Sequence, residues 1–186
     1  PNVIDLDGEP KDGLSFLNLV EAHVLTAIRR HHRIPLPKVR QALAYTSERL
    51  GIERPLAHAS FQTDGVDLLV EKLGKLINVS QSGQIEMATL LRAYLKRIKR
   101  DSSGLPVKLY PFTRMSVTED APAPVEINPR VAFGRPVIVG SAVPTAILAD
   151  RFKAGDTLVD LSKDYEISKD AIEEAIRCEL DCRKAA

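Results

Sequence analysis

The strongest signal along the chain is a set of apolar positions recurring at steps of three and four. Leu17, Val20, Val24 and Ile28 form one stripe behind Ser15, a helix-capping residue, and predict a helix reaching about Arg30. Residues 31–36 break it. Pro37 suits a first helical position, and Val39, Leu43, Thr46 and Leu50 make a second stripe closed by Gly51. A short strand is expected ahead of both helices, at residues 3–6.

From Pro55 the texture changes. Alternation over 57–63, the Asp64-Gly65 pair and the apolar run 66–70 predict a β-hairpin, with a third short strand at 76–79 before a turn at Ser82-Gly83. A helix over 86–100 would turn Met87, Leu91, Tyr94, Leu95 and Ile98 inward, and 107–112 reads as a strand returning to the hairpin. Residues 116–124 are polar, acidic and proline-rich without an apolar period, which marks a linker. Beyond it, strands are expected at 125–127 and 136–139 around a turn at Asn128-Pro129. Three short helices follow: one starting at Pro144 and ending at Ala154-Gly155, one over 157–164, and one capped by Ser168 with Ile172, Ala175, Ile176 and Leu180 inward. The fold class is therefore mainly α with small β elements (α+β). It is divided into a helix pair (1–54), a central hairpin and helix (55–115), the linker (116–124) and a three-helix unit of helix-turn-helix outline (125–186).

Composition bounds the function. The chain has 186 residues, 44% hydrophobic and 27% charged, which suits packed domains rather than disorder or membrane spans. The two cysteines, Cys178 and Cys182, share one helical turn where a disulfide fits poorly, and they read as thiols of a reducing compartment; the chain is expected to be cytoplasmic. They share a helix face that could offer two soft-metal ligands, but no histidine or third cysteine completes the set, so no metal and no cofactor is expected. P-loop, dinucleotide-binding, metalloprotease, nucleophile-elbow and kinase signatures are all lacking. Binding, not catalysis, is the expected mode of action, and no residue is assigned a catalytic role.

Net charge is +1, yet residues 1–115 hold 17 Lys and Arg against 12 Asp and Glu, while 116–186 hold 9 against 13. No acid lies between Ala22 and Ser47, where Arg29, Arg30, Arg33, Lys38 and Arg40 gather at the junction of two predicted helices. There they could meet a nucleic-acid backbone, a solvated cationic face being the alternative. Arg92, Lys96, Lys99 and Arg100 share a stripe of the next helix, with Arg97 beside it, and read as a solvated face. The last helix would turn Asp170, Glu173, Glu174, Arg177 and Asp181 outward. Four acids and one arginine make a poor reader of DNA and a better surface for a basic partner. Asp170, Glu173, Glu174 and Arg177 are the candidate partner-binding residues.

Two resemblances rest on these residues. Ile127-Asn128-Pro129-Arg130, Gly134-Arg135-Pro136-Val137-Ile138, the helix after Pro144, Ala154-Gly155-Asp156, and Asp164-Tyr165 followed by Ser168 resemble the bacterial DUF433 family over about a third of the chain. Ser141-Ala142-Val143 stands where that family usually carries a threonine, an arginine and an aliphatic residue. Residues 14–50 resemble the two helices that follow the wing of a MerR-type DNA-binding domain. This implies that the main DNA-reading helix lies upstream of Pro1. Together the resemblances imply a VapB-class antitoxin, a homodimer that neutralises a PIN-domain ribonuclease toxin and represses its own operon by binding operator DNA, with no membrane partner. The alternatives are a MerR-like transcriptional regulator sensing a small ligand in its central region, and an enzyme of unrecognised type.

Overall fold

A computed structural model describes residues 3–4, 14–114 and 116–182. Of the strand expected at 3–6, residues 3 and 4 are a bend and residues 5 and 6 lie outside the described residues. The chain divides into two compact units, 1–106 and 107–186. Among the described residues it contains seven α-helices and four short strands.

In the first unit, α1 (Phe16–His32) is fixed at its start by a reciprocal cap: Ser15 Oγ accepts from the Asn18 N–H at 3.1 Å, and Asn18 Oδ1 accepts from the Ser15 N–H at 3.2 Å. Val20, Val24, Ala27 and Ile28 are fully buried along its apolar face. Arg33 ends the helix in the left-handed region. Helix α2 (Leu36–Leu50) holds Pro37 in its first turn, where a missing N–H costs nothing, and Gly51 closes it at φ 65°. Both helices match their expected stripes.

The central hairpin is not formed. A 3-10 turn (Pro55–Ala57) and a π turn (Phe61–Gly65) lead into a helix, α3 (Val66–Ile77). Val66, Leu69, Val70 and Leu73 are buried, a helical period that the short alternation upstream obscures. Asp64-Gly65 looks like a hairpin turn, but Gly65 has an ordinary right-handed conformation. The glycine is needed because a Cβ there would lie 2.5 Å from the Phe61 ring. The strand expected at 76–79 is instead the end of α3, closed by a left-handed Asn78. Helix α4 (Gln81–Lys96) begins earlier than expected, at the Ser80 cap, and buries Met87, Leu91, Tyr94 and Leu95. It also stops earlier, so Ile98 is buried from a short strand, β1 (Ile98–Arg100).

In the second unit, β2 (Pro106–Leu109), β3 (Val125–Ile127) and β4 (Pro136–Ile138) pair antiparallel in that order. Leu109 stands opposite Ile127, and Val125 opposite Ile138. The strand read at 107–112 thus pairs with β3, there being no central hairpin to return to. Residues 116–124, expected as a linker, lie inside this unit as irregular chain. Helices α5 (Thr145–Lys153), α6 (Leu158–Tyr165) and α7 (Lys169–Cys182) follow as expected. Val125, Ile138, Leu148, Leu161, Ile172 and Ala175 form the core, with Cys178 buried at its edge. Leu180, expected inward, is 48% exposed. Eight residues beyond Ile172 the helix has rotated about 80° off the buried face. Among the described residues no helix is long and apolar enough to cross a membrane.

Candidate functional site

The first candidate surface is the α1–α2 junction. Arg29 occupies the last turn of α1, Arg33 its C-cap and Lys38 the first turn of α2. Arg29 and Arg33 are exposed, and among the described residues none of the three side chains has a carboxylate or hydrogen-bond partner. The arginines offset the negative end of the α1 dipole, but Lys38 sits at the positive end of α2, where helix electrostatics disfavour it. The side chain of Arg30 lies outside the described residues.

Arg40 departs from this cluster. It lines a cleft of about 450 Å³ in the first unit, together with Leu43, Ala44 and Glu48 of α2, Glu21 of α1 and the segment 51–56. Its Nε is buried without an acceptor. Across the cleft Glu21, 3% exposed, accepts from Arg54 Nε at 2.9 Å and Nη2 at 2.5 Å.

The cationic stripe expected over 92–100 is not one surface, because α4 ends at Lys96. Arg92 pairs with Asp67 at 2.7 Å, Arg97 is buried, and Arg100 Nη1 donates to the carbonyls of Ala57 (2.6 Å) and Gly104 (3.0 Å). Those contacts make Arg97 and Arg100 parts of the fold rather than a solvated face. Nearby, His23 stacks on Tyr94 and its Nε2 donates to the Tyr94 carbonyl at 3.1 Å. Burial pushes this imidazole down to about 4, against the pull of that hydrogen bond.

In the second unit α7 divides its charges. Asp170, Glu173 and Arg177 are exposed, with Arg177 paired to Glu173 one turn earlier. Glu174, expected outward with them, is 2% exposed. Thr113 Oγ1 donates to its Oε2 and Arg114 Nε to its Oε1 at 2.7 Å. Burial raises its pKa, but the hydrogen bonds from Arg114 and Thr113 outweigh it and hold the carboxyl below the usual range. The helix period alone puts Glu174 beside Glu173, and its partners lie some sixty residues away in sequence, so the sequence gives no sign of its burial.

A surface with no sequence warning lies on the β3–β4 connection. Ala132, Phe133 and Gly134 have φ of 47°, 56° and 76°, three successive left-handed residues, and Phe133 is 98% exposed. Arg130 and Arg135 flank it, both exposed and, among the described residues, without an ion pair. Left-handed backbone disfavours Ala and Phe, and full exposure gives the ring nothing to pack on within its own unit. Aromatic and arginine side chains are the types enriched at protein interfaces relative to other surface.

The comparisons with known proteins bear on both units. Residues 125–177 match the family described as "Protein of unknown function (DUF433)". The chain is 27% identical over 175 residues, 88% of its length and 70% of the relative's, to "Putative antitoxin VapB45" of Mycobacterium tuberculosis. The crystal structure of Rv2018 from Mycobacterium tuberculosis shares the fold with a TM-score of 0.68, at 21% identity over 94% of this chain and 85% of that one. Residues 125–177 thus match the DUF433 family, and over most of its length the chain is similar to the protein named "Putative antitoxin VapB45".

Proposed function

We propose that this protein is an antitoxin that acts by binding. In this reading it neutralises a PIN-domain ribonuclease toxin and represses its own operon as a cytoplasmic homodimer. The observation that carries the reading is the similarity to "Putative antitoxin VapB45" along 88% of the chain, which spans both units rather than the DUF433 module alone. Two surfaces support the division of labour. The exposed Phe133 turn with Arg130 and Arg135 suits a protein partner, with Asp170, Glu173 and Arg177 as further contacts. The unpaired Arg29, Arg33 and Lys38 suit the phosphates of operator DNA, with Arg30 beside them in sequence.

Co-expression with the product of the neighbouring gene tests the reading. That product is expected to arrest growth alone, to be harmless with this chain, and to co-purify with it. A neighbour that is neither toxic nor retained overturns the antitoxin role. Phe133→Ser is expected to release the partner while leaving the chain folded, because so exposed a ring contributes little to its own unit.

A further inference from the structure

The cleft of the first unit has the composition of a small-molecule site rather than a solvent groove. Its wall on α2 is a stripe at helical spacing, Arg40, Leu43, Ala44 and Glu48, and its floor includes Leu56, 1% exposed. A volume of about 450 Å³ lies within the range of ligand pockets.

The charges narrow the ligand. Arg54 is committed to Glu21 through two hydrogen bonds, so this pair brings no net charge to the cleft. Arg40 is the other cation lining it. Its Nε is packed away from water with no acceptor, which anchors the stem, and among the described residues its guanidinium meets no carboxylate. An anchored, unanswered guanidinium is a preorganised hook for a planar anion. Glu48 and Glu53, both exposed, also line the cleft and oppose the second charge of a phosphate or dicarboxylate. We propose that the cleft binds a small monocarboxylate with an apolar body, the carboxylate on Arg40 and the body against Leu43, Ala44 and Leu56. This goes beyond the antitoxin reading and does not depend on it.

Titration of the full chain with 4-phenylbutyrate, 4-phenylbutylamine and inorganic phosphate, followed by calorimetry and amide NMR, tests the proposal. The carboxylate is expected to bind with a sub-millimolar Kd and to shift amides of residues 40–56, with the amine and phosphate at least about tenfold weaker. Arg40→Gln is expected to weaken the carboxylate about tenfold or more with an unchanged melting temperature. Ala44→Phe, which fills the cleft and keeps Arg40, is expected to abolish binding. No binding of 4-phenylbutyrate by about 10 mM, equal binding of the amine, or full affinity in Ala44→Phe would overturn the proposal. Should Arg40→Gln fail to fold, the Ala44→Phe variant and the amine control decide it.

Discussion

In the first unit Arg29, Arg33 and Lys38 crowd one helix junction with no carboxylate to answer them, whereas on α7 of the second unit Arg177 meets Glu173 and Glu174 meets Arg114. Counting charges along the sequence gives a basic front and an acidic back, two surfaces of equal interest. The structure separates them by what is already compensated. A charge that is paired and buried belongs to the fold; an exposed charge without a partner is left over for something else. By that measure the acidic helix is partly scaffold, and the second unit's spare cations, Arg130 and Arg135, flank Phe133 instead.

The largest effect that sharpens this contrast is expected at Glu174. Replacing it with alanine strands the Thr113 hydroxyl and frees Arg114, which is half-exposed and partly resolvated, so the loss should be about 3 kcal/mol in urea unfolding. Glu173→Ala, one residue away and exposed, should stay within about 0.5 kcal/mol. Equal costs for the two would break the distinction.

The first unit has its own titrating group, the half-buried His23. The folded His23 pKa of about 4 lies below the ordinary value of 6.5, so folding favours the neutral imidazole. Its stabilisation is complete above pH 6.5 and drains away as pH falls toward 4, by about 2 to 3 kcal/mol. His23→Gln should flatten that part of the pH–stability profile.

Smaller is the gain expected for Phe133→Gly. Glycine adopts left-handed φ freely, so the variant should be more stable by about 1 kcal/mol while losing partner binding. The stability change should be smallest for Arg29→Gln/Arg33→Gln/Lys38→Gln, within about 0.5 kcal/mol, because the dipole stabilisation lost with the two arginines is offset by the repulsion removed with Lys38 and none of the three side chains has a partner among the described residues. The same triple variant should reduce the slope of log K against log salt for DNA binding by about 2.7. An unchanged slope would remove the junction from the DNA surface.

Much of the fold was legible because cap and period agree. Ser15, Gly51 and Ser168 each stand at the end of an apolar stripe, and the helices they bound are present. Helix α3 was hidden because Asp64-Gly65 mimics a hairpin turn, and the reason for that glycine, the Phe61 ring against its Cα, exists only in three dimensions. Leu180 was misread because a stripe extended two turns drifts off its face. The site was less legible than the fold. Arg40 fits a basic cluster by position and leaves it by orientation, and Phe133 carries no sequence signature, since exposure of an aromatic is a property of the turn that holds it.

That turn has a consequence for how such proteins diversify. It is anchored at both ends by strand pairing, Val125 to Ile138 and Ile127 to Pro136, and the core lies behind those strands. Residues 131–133, between the Asn128-Pro129-Arg130 and Gly134-Arg135-Pro136 motifs, can therefore be rewritten without renegotiating the fold, as an exchangeable cassette on a fixed frame. If the turn is the partner surface proposed above, swapping the cassette between relatives is expected to change partner binding and leave the melting temperature almost untouched.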